Sequence, residues 1–356
     1  MTNFPTSPEA LGPVELTRYL QAAGVLGEDR VTDARCELIG GGKMGDNARY
    51  FLSYGGAADQ APSTLVAKFP AADERARTMA GAAGAYYNEV MFYRVLAPKT
   101  SIRIPAVYGS EISADRGSFL LLLEDMAPAE PGIQTVGESR SHTATALREA
   151  VKLAAAFYGD SSLAGIDHVV GSTRGGENAE FAQLLLQDAW PGFVDRFGHV
   201  LDADGLAFGE RYVNKFASAA SSYEGVTTLV HGDFRSENIL FHRDTATTVD
   251  WQTPAEANPL TDIAYFLGGS VEVDDRRLWE RELVAGCRRQ FAEAGVELGE
   301  AECWDMYRRA AMHGIIITVL GATFSSPDPR GDEMFSTMIR RHTQHCLDAG
   351  ASEYLS

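Results

Sequence analysis

His231-Gly232-Asp233-Phe234-Arg235-Ser236-Glu237-Asn238, followed by Val249-Asp250-Trp251, puts an Asp, an Asn and a second Asp in one short segment. The residues between them read as a hairpin. Ile239-Leu240-Phe241-His242 is an apolar strand, Arg243-Asp244-Thr245-Ala246 a polar turn, and Thr247-Thr248-Val249 a β-branched returning strand. Pairing across that turn sets Asp250 opposite Ile239 and beside Asn238, so the two can share a metal ion. Asp233, in the loop just before the hairpin, is then within reach of a substrate hydroxyl. The chemistry that needs this set is phosphoryl transfer from a nucleotide. Mg²⁺ takes hard oxygen ligands, keeps several waters and uses only one or two protein groups besides the phosphates. A separate carboxylate must orient, and late in the reaction deprotonate, the attacking hydroxyl. One Asp or Asn in a turn means little by itself; the whole pattern on a readable hairpin is far more specific.

At this point the residues carry a family resemblance. His231 to Phe241, with Val249-Asp250-Trp251-Gln252, resembles the catalytic and metal motifs of the aminoglycoside phosphotransferase and choline kinase superfamily, small-molecule kinases related in fold to protein kinases. Gln252 and the later run Asn258-Pro259-Leu260-Thr261-Asp262-Ile263-Ala264-Tyr265 look closest to the ecdysteroid-kinase-like branch, with acyl-CoA-hydroxyl kinases also similar. Protein kinases match less well: Gly232 stands where they carry Arg, Val249-Asp250-Trp251 replaces D-F-G, and no A-P-E segment follows.

The resemblance implies an ATP site in the N-terminal half, and the residues for one are present in the expected order. Leu38 to Phe51 reads as strand, Gly-rich turn, strand, with Gly41 and Gly42 placed to bring backbone N–H groups to phosphate oxygens. Thr64-Leu65-Val66-Ala67-Lys68-Phe69 resembles the family's third strand, whose Lys contacts the nucleotide phosphates. Tyr86 to Leu96 reads as an amphipathic helix carrying Glu89, which in kinase-like folds pairs with that Lys; Asn88 beside it leaves the register open by one residue. Phe119 to Leu123 is an apolar strand ending in Glu124-Asp125-Met126, and Ala127 to Gly132 is linker-like. The resemblance makes this the hinge, with the backbone of Glu124 to Met126 hydrogen-bonding adenine. It also gives His231 and Asp262 supporting roles, Asp262 receiving backbone N–H groups of the catalytic loop. Arg235 has two readings: neutralising the transferring γ-phosphoryl, or pairing with a structural carboxylate. Trp251 and Tyr265 read as core.

The elements that must position these residues follow. The expected fold is α+β and protein-kinase-like with two lobes. Residues 1–125 form a nucleotide-binding lobe with a helical N-terminal extension, an antiparallel five-stranded sheet and one main helix. Residues 126–356 form a larger, mainly helical catalytic and acceptor-binding lobe. Helices are expected over Val14 to Leu26, Thr143 to Tyr158, Phe181 to Phe197, Ala207 to Tyr223, Arg276 to Ala294 and Glu302 to Phe324.

Composition bounds the answer. A chain of 356 residues with 45% hydrophobic content has room for two cores. A net charge of −18 argues against nucleic acid as a partner. Met1 to Pro13 is polar and Pro-rich, unlike a signal segment, and no apolar run is long enough for a membrane span, so a cytoplasmic protein is expected. The four cysteines lack metal-type spacing and read as reduced thiols. The activity expected is ATP- and Mg²⁺-dependent phosphorylation of a small-molecule hydroxyl. An apolar alcohol, a steroid-like compound or a hydroxyacyl-CoA is slightly favoured over an aminoglycoside or other sugar or amino alcohol. A catalytically inactive nucleotide-binding scaffold is the alternative from another class. Neither the acceptor nor the oligomeric state is legible.

Overall fold

The computed structural model describes residues 2–40, 45–56, 61–170 and 176–356. Gly41 and Gly42 lie outside these. The chain divides into two compact units, the first made of Met1–Lys99, Ile104–Pro128 and Asp250–Thr253.

In the first unit, helix α1 (Pro13–Ala22) starts with a proline, whose fixed φ suits a first helical position, and with the Gly12 N–H held by Glu15. It ends short of the expected Leu26 because the chain turns at Gly24, φ 75°. Strands β1 (Val31–Ile39), β2 (Gly45–Tyr54), β3 (Thr64–Pro70), β4 (Val107–Ile112) and β5 (Phe119–Glu124) form one antiparallel sheet in the order β1-β2-β3-β5-β4. Side chains alternate across a strand. Leu65, Ala67 and Phe69 of β3 therefore join Leu120 and Leu122 of β5 and Leu16 and Leu20 of α1 in one core. Lys68 is left on the other face. Helix α2 (Glu74–Ala82) is followed by α3 (Ala85–Met91), which continues as a π-helical stretch over Phe92–Leu96. The helix expected from Tyr86 is thus present, with its last part wound more loosely.

The second unit is made of Thr100–Arg103, Ala129–Val249 and Pro254–Ser356 and is mainly helical. Helices α4 (Arg140–Ala156), α5 (Gly176–Phe197) and α6 (Ala203–Ser221) precede all but the first of this unit's strands, and α4 and α6 start at side-chain caps from Ser139 and Asp202. The short strands are β6 (Glu130–Pro131), β7 (Thr228–Val230), β8 (Ile239–His242), β9 (Thr245–Thr248) and β10 (Ala255–Ala257). Helix α7 (Thr261–Ser270) has all ten residues buried, as expected of a helix packed on every side. Around it lie α8 (Val273–Glu293), α9 (Glu300–Ala310), α10 (His313–Phe324) and α11 (Pro329–Asp348). No helix among the described residues is long and apolar enough to cross a membrane.

Two expectations need correction. The hairpin turn has two residues rather than four: His242 pairs with Thr245, and Arg243 takes φ 51° at the turn. Ile239 consequently faces Thr248 and not Asp250. The β-propensity of Thr245 continues the strand, and a tight turn with positive φ suits the strand twist. The single helix expected over Glu302 to Phe324 is two, because α9 stops at Ala310 and α10 starts at His313. Helices α2, α7 and α11 add to those expected. The Pro329 and Gly331 that punctuate the start of α11 lie in its first turn, behind an Asp328 cap that accepts from the Gly331 N–H.

Candidate active site

Within the first unit, three of the residues singled out from sequence meet. The Lys68 Nζ lies 2.5 Å from Glu89 Oε1 and 3.2 Å from Asp250 Oδ1. Glu89 is fully buried. Burial would pull the Lys68 ammonium down, but Glu89 and Asp250 outweigh it and hold its pKa above the ordinary lysine range. Lys68 is therefore a fixed cation. Asp250 adopts φ 68°, a left-handed conformation uncommon outside glycine but tolerated better by Asp and Asn than by most residues. Glu124 ends β5 opposite Leu65, and its N–H is given to the Ala106 carbonyl at 2.8 Å. The following Asp125 is anchored by Arg49 at 2.8 Å, which fixes the stretch leading to Met126.

Within the second unit, the loop from His231 to Asn238 is held from several sides. Asp262, in the first turn of α7, accepts the backbone N–H groups of His231 (2.7 Å) and Gly232 (3.1 Å). Burial pushes the Asp262 carboxyl above its ordinary range, against the pull of His231 and those two N–H groups. His231 is buried, with Nε2 3.0 Å from the Val249 carbonyl and Nδ1 accepting the Asp233 N–H at 3.2 Å. A carbonyl can only accept, so the ring carries its proton on Nε2 and its lone pair on Nδ1. One imidazole thus links the backbone of Asp233 to the residue that precedes Asp250. Gly232 takes φ 85° in this turn, which a side chain would strain.

The Asp233 carboxylate is itself clamped. The Tyr265 hydroxyl donates to Oδ1 at 2.8 Å, while Asn238 Nδ2 (3.0 Å) and Arg235 Nε (3.2 Å) donate to Oδ2. Asn238 Nδ2 also donates to the Asp233 carbonyl at 2.8 Å, which commits the amide nitrogen. Arg235 also pairs with Glu237 at 2.5 Å, and Glu237 with Arg330 at 3.2 Å. Burial opposes the Arg235 charge, but Asp233, Tyr265 and Glu237 hold its pKa above the usual guanidinium range.

Residues missed from sequence surround this clamp. Tyr265 is buried, as expected for a core residue, but its hydroxyl is spent on Asp233. Its ring stacks on His342 at 5.0 Å and meets His313 edge-on at 5.3 Å. His313 opens α10 and donates Nε2–H to the Gly232 carbonyl at 2.7 Å. Burial pushes His313 down, and His342 down to about 3, so neither competes for a proton at neutral pH. Gln134 ties the loop from the far side: its Oε1 accepts from the Ser236 N–H (3.2 Å), and its Nε2 donates to the Gly269 carbonyl (2.8 Å). Only the i+3 spacing of Tyr265 from Asp262 on α7 signals any of this in the sequence, since it puts the tyrosine on the face that meets the loop.

Tyr265→Phe is expected to keep the fold and to lower kcat roughly tenfold, the rate equivalent of about 1.4 kcal/mol, with nucleotide affinity unchanged. A kcat equal to that of the unaltered protein in steady-state assays would remove the hydroxyl from any part in turnover.

A family model for phosphotransferase enzymes matches residues 36–312, which spans β1 to the break before α10. The chain belongs to the phosphotransferase enzyme family. No curated protein matches it. Among solved structures, it resembles the GDP complex of wild-type aminoglycoside 2'-phosphotransferase-IIIa with a TM-score of 0.52, at 15% identity, over 94% of this chain and 99% of that one. A candidate aminoglycoside phosphotransferase from Ralstonia eutropha gives 0.52 at 13% identity, over 95% and 99%. The GDP and kanamycin complex of APH(2")-IIIa gives 0.51 at 14%, over 85% and 92%. At these identities the likeness concerns the fold, which is the α+β kinase-like one expected. As a member of this family the chain is a small-molecule phosphotransferase.

Proposed function

We propose that this phosphotransferase moves the γ-phosphoryl of ATP to a hydroxyl of a small molecule. The observation that carries the reading is the clamp on Asp233: three donors fix both carboxylate oxygens next to an amide whose nitrogen is already used. A carboxylate so held can orient an acceptor hydroxyl in line and take its proton late, when a loose transition state has built charge on the leaving oxygens. Lys68, set by Glu89, holds phosphate oxygens. Asn238 offers its amide oxygen and Asp250 its carboxylate, a hard donor set that fits Mg²⁺. Bound there, Mg²⁺ would neutralise the developing charge on the phosphate chain. Arg235 pairs with the carboxylates of Asp233 and Glu237, which supports the carboxylate-pairing reading; neutralising the γ-phosphoryl is the second role proposed for it. In this scheme the boundary between the nucleotide lobe and the catalytic lobe lies near residues 125–126, the backbone of Glu124 to Met126 binds the adenine edge, and the backbone of Gly41 and Gly42 covers the phosphates.

Two acceptor classes have specific support. An acceptor with an apolar body suits the aromatic and aliphatic composition of Gln183 to Phe197 and Tyr307 to Phe324. That is also the direction of the ecdysteroid-kinase-like motifs. An aminoglycoside is favoured by the kanamycin-bound neighbour. The GDP in two of the neighbours makes GTP a second donor to try. The test is a nucleotide-consumption screen with ATP and with GTP. It covers aminoglycosides, amino alcohols, steroids, terpenoid alcohols and hydroxyacyl-CoAs, with Asp233→Ala as control. A hit lost in the variant supports the reading and names the acceptor class. Nucleotide binding with no transfer to any acceptor favours the inactive scaffold.

A further inference from the structure

Asn88 stands beside Glu89 on α3 and does separate work. Its Nδ2 donates to the Gln252 carbonyl at 3.1 Å, and the side chain is buried. Phe92 follows one helical turn later, on the same face. Its ring lies parallel to that of Trp251, centroids 3.5 Å apart at 4°, and both rings are fully buried. Tyr93, a turn beyond Glu89, is buried as well. The π-helical stretch begins at Phe92, so the loosened winding turns Phe92, Tyr93 and Leu96 inward together. One helix therefore makes contact with Trp251 and Gln252, the two residues immediately after Asp250, all within the first unit.

This arrangement has a mechanical meaning. Asp250 holds a sparsely populated backbone conformation, and such a conformation persists only where its surroundings over-determine it. The Asn88 grip on Gln252 and the Phe92–Trp251 stack supply that determination from the residues immediately after Asp250. The helix that aims Glu89 at Lys68 also sets where the Asp250 carboxylate points.

We propose that Asn88 is a positioning residue for Asp250, holding the Gln252 carbonyl so that the carboxylate is already aimed at the metal-bearing phosphates before nucleotide arrives. The inference rests on the phosphotransferase reading of the same site. It predicts a loss specific to the metal-dependent part of nucleotide binding. Affinity of the full-length protein for a fluorescent ATP analogue is measured by titration, once with Mg²⁺ and once with a chelator, for the unaltered protein, Asn88→Leu, Asn88→Ala and Asp250→Ala. Asn88→Leu keeps the volume and removes the donor; Asn88→Ala leaves room for water at the Gln252 carbonyl and guards against misfolding of the first. The gain in affinity conferred by Mg²⁺ is expected to fall about tenfold in both Asn88 variants, the scale seen when an outer partner of a metal ligand is removed. Affinity with chelator should stay within about twofold, since nothing in the metal-free contacts changes. An Mg²⁺ gain undiminished in both Asn88 variants while Asp250→Ala abolishes it overturns the proposal and leaves the wider reading intact. So does a parallel loss of affinity with and without Mg²⁺, which marks a general structural role. A full Mg²⁺ gain in Asp250→Ala removes the metal role of Asp250, and the proposal falls with it.

Discussion

Asp233→Ala is expected to lower kcat by about 10²- to 10⁴-fold, the usual contribution of a positioned general base, while nucleotide affinity stays close to that of the unaltered protein. The separation follows from the contacts. Asp233 bonds to Tyr265, Arg235 and Asn238, all in the second unit, and Lys68 has its own partners in Glu89 and Asp250. In the proposed mechanism, removing the carboxylate takes away the group that orients the acceptor hydroxyl without touching the lysine assigned to phosphate. Some disturbance of Asn238 is built in, because its amide loses one acceptor; it keeps the Asp233 carbonyl, which the alanine retains. Single-turnover kinetics alongside equilibrium nucleotide binding separate the two effects. Turnover within a few-fold of the unaltered protein would reassign the base.

Lys68→Ala carries the other large effect, and it reaches stability as well as binding. The ammonium is the counter-charge shared by a fully buried Glu89 and by Asp250. Breaking a buried pair by deleting one partner costs about 3–5 kcal/mol, because the remaining charge is left uncompensated. Nucleotide binding should fall with it. Pairing the change with Glu89→Gln distinguishes the two losses: the double variant should recover much of the thermal stability and none of the nucleotide affinity. Calorimetry and nucleotide titration report them independently. A single variant that melts with the unaltered protein would mean the pair is held in place by its surroundings and contributes little.

How much of this was legible in the sequence depends on range. Motif residues whose placement depends on local spacing were readable: His231, Asp233 and Asn238 share a loop, and Lys68 alternates out of the β3 core by the simple period of a strand. Glu89 was readable only with its order in the chain as support, and the one-residue doubt over Asn88 resolves because both residues have partners, Lys68 for one and the Gln252 carbonyl for the other. The hairpin register was misread by the turn: whether Thr245 belongs to a loop or a strand depends on its pairing with His242, and propensity within the segment does not decide that. Tyr265, His313 and Gln134 were not legible as site residues. Their partners lie 32, 81 and 102 residues away in the chain. Nothing in a helical apolar pattern marks which buried tyrosine spends its hydroxyl on a carboxylate.

The tight seating of His342 has an evolutionary consequence. Its ring backs Tyr265, and it fits there because Gly314 has no side chain: a Cβ at that position would lie 2.0 Å from His342 Nδ1. Gly268 and Gly269 leave the same kind of room for His345 and His342. In a chain drifting under selection, these glycines are constrained by the rings that fill the space a side chain would take. An alanine at 314, ordinarily a mild change in a helix, would be transmitted through two rings to Asp233. Descendants of this sequence can replace Gly314 only where His342 has given way to a smaller residue, so a change at 314 should appear only together with one at 342.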